Sequence, residues 1–442
     1  MNFSNIFFSE WRHLRGNPLK LLSIILFMIA SVYGMINSKY LYEKQNLEIF
    51  DINKKLEQEI NDNLNLFKSD NPRPKERPWI DLSIPDWAIW YTKVYHFNNP
   101  SPLIIFSVGQ AEQYAFYKKI TYMSSPYDKD MTNEISNPER LEIGSLDFSF
   151  SVIYLLPLLM IILLFNLKTK ESESKILNLV KIQVKSAKIW LIIRIFFYLL
   201  ILVLLNLFLL IFGILLFDIS KIHLPSVVYI FTYLLIYILF WGIIFYFILK
   251  ISFTIIESSV MMIGIWLTLT LLIPSLINQY LSVKHPNNSF LGYIDAVRDE
   301  KKDIYNLSDS IAMSKLIKLY PEIKETINYN SLENKSRIIN ESKVALLNQV
   351  LKKKIETIEI KNKNRNTFIK KFFIVNPISF FQNKLNQLTR THYDNYANYR
   401  KEIQFLIDLQ IRTMIIDTWN GVEVDYDKFK FYHDLFRISK KK

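Results

Sequence analysis

Two charged side chains, Arg194 and Glu257, stand inside long apolar stretches of the sequence. A charge surrounded by hydrocarbon is costly unless it has a partner or reaches a polar surface. Each follows the start of its stretch by about two helical turns, which places both about 10 Å from the same end at 1.5 Å per residue. The two side chains are thus at a depth where they could meet, either as a salt bridge that packs two helices or as part of a gate or substrate contact.

No catalytic set accompanies these charges. The sequence lacks the His-Glu-x-x-His helix, the Gly-x-Ser-x-Gly turn and the Gly-x-x-x-x-Gly-Lys-Ser/Thr loop that cradles phosphates. The chain therefore cannot hydrolyse ATP with a P-loop, and we do not expect an enzyme. His392 and Asp394 could join a metal site, but two further ligands at useful spacing are missing. The lack of cysteine excludes disulfides and thiolate metal sites, and we expect no cofactor on this chain.

The apolar stretches are long enough to cross a bilayer. About 20 apolar residues span the hydrocarbon core, and the hydrophobic half of this chain is bunched into blocks. The sequence predicts a mainly α, polytopic helical membrane protein with about five transmembrane helices. Pro157 lies in the middle of the second, where a neighbouring helix could satisfy the carbonyl that it frees. The predicted spans are residues 19–38, 146–167, 189–217, 225–249 and 251–280.

The first apolar stretch has an alternative interpretation as a signal peptide, because basic residues precede it. Its length and the poor cleavage sequence INSKYLYEKQ favour a retained anchor. The net charge of +13 would suggest a nucleic-acid partner in a soluble protein. Here the excess is spread without a basic stripe, so we expect the lipid bilayer, and no nucleic acid, as a partner.

Lysine and arginine in short loops predict the orientation. Residues 1–18, expected as an interfacial helix, and the connection 168–188 are rich in basic residues, whereas the connection between the third and fourth spans holds only Lys221. The basic segments are therefore predicted to be cytoplasmic, and five spans then place the C-terminus outside. Residues 39–145 and 281–442 become two extracytoplasmic, mostly helical domains.

Three features of these polar regions carry structural predictions. Apolar residues at three-to-four spacing in residues 40–67 predict an amphipathic helix that continues out of the first span. Trp79, Trp87 and Trp90 suit the lipid headgroup level, the core of a small domain or an aromatic platform for a substrate. The segment Phe372–Phe381 is apolar but too short to span, so we expect it to dock on the membrane surface or on another helix. We expect no sixth span after it.

Three segments form an ordered set of motifs. They are FFSEWRHLRGNPLKLLSIILFMIASVYGMINSKYLYEKQ at the start, NNPSPLIIFSVGQAE in the first polar region, and NPERLEIGSLDFSFSVIYLLPLLMIILLFNLKTKESE around the second span. Together they resemble the membrane subunits of type-2 ABC exporters, more specifically bacterial permeases with a large outer domain between the first and second spans. The resemblance covers most of residues 1–217 and, loosely, the rest.

The resemblance implies a multi-pass protein of the bacterial cytoplasmic (inner) membrane that works as a dimer with itself or with a related permease. Its cytoplasmic partners would be P-loop ATPase subunits, which bind the ATP and Mg. The loop after the second span would carry a short coupling helix that enters a groove on the ATPase. Many relatives end in a sixth span, which this chain is not predicted to have.

The candidate coupling residues lie in this loop. Glu171 and Glu173 occupy the family's acidic positions, and Lys175, Ile176 and Leu177 stand where the family often has Gly-Thr-Leu. This departure points to a dedicated ATPase partner. A short amphipathic helix can dock by its apolar face, while a plain interfacial helix without a partner is the alternative. The apolar residues of this helix are Ile176, Leu177, Leu179, Val180 and Ile182.

The expected function is that of a permease subunit, which couples ATP hydrolysis by separate subunits to export or extraction of an unidentified substrate. The alternative is a mechanotransmitting or scaffolding subunit, whose outer domains act on a periplasmic or envelope partner without transport. The strongly apolar spans favour a lipophilic substrate or the mechanical role, and the sequence does not separate these two.

Overall fold

The computed structural model describes residues 3–68, 72–128, 131, 146–184, 186–284, 289–330, 335–374 and 376–438. These residues are mainly helical, and one two-stranded sheet joins β1 (Val94–Phe97) to β2 (Tyr117–Ile120). The helix α4 consists of Phe148–Phe150, a π turn at Ser151–Leu155 and Leu156–Leu164, and α9 consists of Ile255–Leu267, a π turn at Thr268–Leu272 and Ile273–Lys284. The other helices are α1 (Phe3–Arg15), α2 (Pro18–Leu66), α3 (Pro85–Tyr91), α5 (Thr169–Glu173), α6 (Leu177–Gln183), α7 (Ala187–Leu216), α8 (Leu224–Ile251), α10 (Ser289–Tyr305), α11 (Asp309–Leu319), α12 (Ile327–Asn330), α13 (Lys335–Lys371), α14 (Pro377–Leu388), α15 (Tyr393–Trp419) and α16 (Tyr426–Ile438). Short 3-10 turns lie at Pro102–Phe106, Lys221–His223, Pro321–Glu325 and Phe372–Ile374.

Five helices among the described residues are long and apolar enough to cross a membrane. They are α2, α4 with α5, α7, α8 and α9, and they confirm the five predicted helical segments, with small differences at their ends. The fifth was predicted from residue 251 but begins at Ile255, because α8 continues to Ile251 before the chain turns. We call the end of this bundle that carries α1, α5 and α6 the loop end.

The first of these helices extends far beyond its apolar part. Asn17 caps α2 by accepting a hydrogen bond from the backbone N–H of Lys20 at 3.2 Å, and Pro18 fits the first turn. The helix then runs for 49 residues, about 73 Å at 1.5 Å per residue, against a hydrocarbon core of about 30 Å. The predicted amphipathic continuation of the first span is therefore confirmed.

The approach to the second apolar helix is fixed by Asp147. Its carboxylate accepts hydrogen bonds from the N–H of Phe150 at 2.7 Å and of Val108 at 2.8 Å, so it caps α4 and also ties down the loop at residues 107–111. The helix α2 passes so close to this turn that a Cβ on Gly34 would lie 2.5 Å from the carbonyl carbon of Asp147. Only glycine permits that approach.

Proline produces the same local structure in two of the apolar helices. Pro157 and Pro274 each follow a π turn, at Ser151–Leu155 and Thr268–Leu272. Pro157 removes the N–H that would bond the carbonyl of Ile153, and the hydroxyl of Tyr237 on α8 donates to that carbonyl at 2.8 Å. The expectation that a neighbouring helix satisfies the freed carbonyl is confirmed.

The two polar regions, predicted as separate domains, share one hydrophobic core in the structure. Val94 and Ile120, which face each other across the antiparallel sheet, belong to the same buried cluster as Ile403 and Ile407 of α15. The hydroxyl of Tyr399 also donates to the carbonyl of His96 at 3.0 Å. We call the described residues within 72–131 and 289–438, excluding α14, the polar body.

The aromatic residues of the first polar region divide between core and surface. Trp90 packs edge-on against Tyr122 with ring centroids 5.7 Å apart, on the core of the polar body. Trp79 is 71% exposed. The core assignment therefore holds for Trp90, and Trp79 remains free for a surface contact.

The apolar segment that includes the start of α14 docks on another helix, which is one of the two placements predicted for it. In α14, the ring of Phe381 stacks on Tyr237 of α8 at 4.4 Å, and Ile378 and Leu385 are buried in the core of the apolar bundle. The segment therefore joins the polar body to the fourth apolar helix.

Candidate functional site

A buried ionic cluster lies at the loop end of the bundle, centred on Arg194 of α7. Its Nη1 donates to Glu171 Oε1 at 2.7 Å and to the carbonyl of Leu167, while its Nε lies 2.5 Å from Glu10 Oε1. The guanidinium also lies over the ring of Trp190, 4.6 Å from its centroid. One arginine thus joins α1, α5 and α7.

Lys20 adds the first apolar helix to the same cluster. Its Nζ donates to the carbonyl of Leu163 at 2.7 Å and lies 3.3 Å from Asn166 Oδ1 and 3.4 Å from the Tyr198 hydroxyl. Tyr198 in turn donates to Glu10 Oε2 at 3.1 Å. The end of α4 and the start of α2 are therefore connected to α1 and α7 through side chains.

The formal charges of this cluster balance, with Lys20 and Arg194 against Glu10 and Glu171. Burying charges carries a desolvation penalty that only close partners offset, and the loss of one partner from such a cluster costs about 3–5 kcal/mol. The cluster is therefore a fixed joint between segments and tolerates little change of a single member.

The predicted meeting of Arg194 and Glu257 is wrong. Glu257 lies in the first turn of α9, where Thr254 and Glu257 form a capping box: Thr254 Oγ1 accepts from the Glu257 N–H at 3.1 Å, and Glu257 Oε2 accepts from the Thr254 N–H at 3.3 Å. The error came from placing the start of the fifth helix at residue 251, which made a capping residue resemble a buried charge. Arg194 is buried, and its partners are Glu10 and Glu171.

The loop after the second apolar helix is fastened on two sides. Glu171 on α5 is held by Arg194, and Glu173 Oε1 accepts a hydrogen bond from the N–H of Ile255 at 2.7 Å, at the start of α9. Lys168 Nζ donates to the carbonyls of Lys250 and Ser252 at 2.8 and 3.0 Å. Both predicted coupling carboxylates are therefore engaged inside the chain, where they position the loop.

The segment beyond α5 projects with apolar side chains exposed. Lys175 forms the turn into α6 in the left-handed region, at φ 61°, which costs a residue other than glycine about 1 kcal/mol. This is the position where the resembling family often has glycine. Ile176 is 48% exposed and Ile182 is 83% exposed, while Leu177 is partly buried against the bundle core. The side chain of Leu179 lies outside the described residues.

Sequence reasoning missed Glu10, Lys20 and Tyr198 as members of this cluster. Glu10 belongs to the acidic, aromatic and basic run of the first helix, and Lys20 is a cation at the very start of an apolar stretch. Both were visible as isolated charges next to hydrocarbon. Their partners lie in distant segments, which a pattern along one chain does not reveal.

Comparison with protein-family models, with curated proteins and with solved structures finds no match. Within the described residues, no three His, Asp or Glu side chains converge on a site that could hold a metal ion. The arrangement at the loop end is thus a buried ionic cluster beside a short helix that carries exposed apolar side chains.

Proposed function

We propose that this chain is the membrane subunit of an ATP-driven ABC transporter and that α6 docks on a separate cytoplasmic P-loop ATPase. In this function the loop end faces the cytoplasm, and the polar body lies on the other side of the bacterial inner membrane. The ATPase hydrolyses ATP, the loop moves, and the apolar helices rearrange to export or extract a substrate. A second permease, identical or related, completes the assembly.

The observation that carries this function is the fastening of one short loop to several apolar helices. A force on α6 passes through Glu171 and Arg194 to α7 and α1, and through Glu173 to the start of α9. The exposed Ile182 offers an apolar contact beside this joint. A plain interfacial helix would have no need of a rigid connection to several helices.

Exchange of Ile182 for Asp tests the docking surface. Ile182 is 83% exposed, so the change should leave the fold intact and place a charge in an apolar contact, which is strongly unfavourable. We expect Ile182→Asp to abolish copurification of a P-loop ATPase from native membranes. Ile222→Asp is the matched control, because Ile222 is 80% exposed on the opposite connection and should retain the ATPase. Equal recovery of an ATPase with both variants contradicts the docking assignment.

A mechanotransmitting role is the second candidate, and the continuity of α2 favours it. This single helix links the ionic joint near Lys20 to the core of the polar body near Leu64. Photocrosslinking from a residue placed at Trp79 separates the two functions. An envelope-protein adduct that forms only while the ATPase turns over supports the mechanical role. Efflux of a lipophilic substrate from proteoliposomes without such an adduct supports transport.

A further inference from the structure

The polar body contains a cavity of about 460 Å³ between the last turns of α13, the first turns of α15 and the segment 110–131. This volume lies in the range typical of small-molecule sites. Nothing in the ionic joint or in the docking of α6 uses it.

The cavity lies on the side of the polar body nearest the apolar bundle. Ile369 lines it and also borders a small cleft with Pro274 and Ile277 near the end of α9. One residue before Ile369 in α13, the ring of Phe368 stacks on Tyr280 at 5.9 Å. An apolar chain bound in the cavity would therefore have a short path to the bundle and its surrounding lipid.

An acidic group behind the wall of the cavity is fully engaged. Glu359 accepts hydrogen bonds from Arg400 Nε at 2.7 Å, the Tyr127 hydroxyl at 2.7 Å and the Tyr393 hydroxyl at 2.9 Å. Burial alone would raise its pKa, but these bonds and the Arg400 charge hold the pKa of Glu359 below its usual value. Because its charge is matched by Arg400, this carboxylate does not make the cavity acidic. The tyrosine rings provide flat apolar walls.

Two hydrogen-bond donors in the wall have no protein partner. Among the described residues, Arg365 makes no ion pair or hydrogen bond, although it lines the cavity. Tyr396 is only 4% exposed and lines the same cavity, and its hydroxyl has no hydrogen-bond partner among the described residues. Although the Tyr396 residue is mostly buried, its hydroxyl stays accessible from the cavity and can donate to an acceptor bound there. Asp128, the acidic residue that lines the cavity, is paired with Lys118 at 2.9 Å.

We propose that this cavity binds the anionic headgroup of an amphiphile. A phosphate or carboxylate of the ligand accepts from the Arg365 guanidinium, which suits planar recognition of such groups, and from the Tyr396 hydroxyl. The apolar part of the ligand lies along the tyrosine rings toward Ile369. This site goes beyond the transport function proposed above and does not depend on an ATPase.

The test is equilibrium binding of dioctanoyl phosphatidylglycerol to the full chain in phosphatidylcholine nanodiscs. Charged hydrogen bonds contribute about 1.5–3 kcal/mol and neutral ones about 0.5–1.5 kcal/mol, so Arg365→Gln should lower the affinity at least tenfold and Tyr396→Phe roughly threefold to tenfold. Lys363→Gln removes the same charge from an exposed position on the same helix and should bind like the unchanged chain. Thermal melting checks that each variant folds.

Two comparison ligands identify the source of the anion. Dioctanoyl phosphatidylcholine should bind at least tenfold more weakly, and equal affinity for it overturns the anionic headgroup. Inorganic phosphate should also bind more weakly, since it lacks the apolar chain. If phosphate alone binds as tightly, the cavity takes a free small anion and the amphiphile assignment fails. An equal loss of affinity in Lys363→Gln and Arg365→Gln would show that binding depends on general charge attraction, and this result also overturns the site.

Discussion

Arg194 connects the first helix and the loop after the second apolar helix to its own helix, α7. It contacts Glu10 on the first helix and Glu171 in the loop, and it stacks over Trp190 of its own helix. The charge itself could be predicted to matter, because an arginine in an apolar run needs a partner. Which carboxylates would meet it could not, since the pairing depends on how three helices pack. Glu257 shows the reverse case, where a shift of four residues in a helix start changed an exposed cap into an apparent buried charge.

Removing the Arg194 charge should therefore be far more damaging than removing that of Glu257. Arg194→Gln leaves two carboxylates without their cation, and we expect a loss of about 3–5 kcal/mol in the free energy of unfolding. Glu257→Gln retains an oxygen that can complete the capping box, and its cost should stay below about 1 kcal/mol. Denaturant unfolding in detergent measures both. Comparable losses would show that the cluster contributes little to stability.

The apolar helices show which features of the fold the sequence pattern predicts and which it does not. Their positions followed from hydropathy alone, and the continuation of α2 followed from three-to-four spacing in residues 40–67. The sequence also placed Pro157 inside a span and predicted a partner for the carbonyl of Ile153. That partner is Tyr237, and its identity depends on how α8 is rotated against α4. The sequence does not specify this rotation, because both helices are apolar on all sides.

The bond from Tyr237 to Ile153 can be isolated by a double-mutant cycle. Tyr237→Phe removes the hydroxyl and should cost about 0.6 kcal/mol, the average for such bonds between membrane helices, and at most about 1.7 kcal/mol. In a Pro157→Ala background the chain regains a backbone N–H, so the same change should cost much less. Steric-trap unfolding in bicelles gives both values. An identical cost in the two backgrounds would mean that the hydroxyl does not serve the carbonyl freed by proline.

On the scale of the whole molecule, the polar regions before the second apolar helix and after the fifth form one body. The sequence predicted helices in both regions but gave no sign that they share a core, because β1, β2 and α3 meet α15 only after folding. The cavity with Arg365 and Tyr396 arises from this union, since its walls come from both regions. Patterns in the sequence therefore indicated more about the residues of the loop end than about the core and the cavity of the polar body.

The polar body should lose stability under mild acid. Burial lowers the pKa of His392 and of His433 below the ordinary 6.5. As the pH falls below 6.5 the unfolded chain takes up protons first, so stability decreases, by at most about 1.4 kcal/mol per histidine for each pH unit. Thermal melting between pH 7.5 and about 5.5 should show this fall. The double variant His392→Gln/His433→Gln should lack most of it, whereas His13→Gln, outside the polar body, should keep it. An unchanged slope in the double variant would contradict this origin.

The unbroken length of α2 has a geometric consequence for any motion of the bundle. A helix about 73 Å long converts a small rotation about its base at the loop end into a large displacement at its tip: a tilt of about 5° moves the far end by about 6 Å. Since Phe67 at that tip packs against Phe429 with ring centroids 5.0 Å apart, the displacement is delivered to the polar body as a whole. An angular change too small to disturb the packing near Lys20 is thus sufficient to sweep the opposite surface through the diameter of an amino-acid side chain.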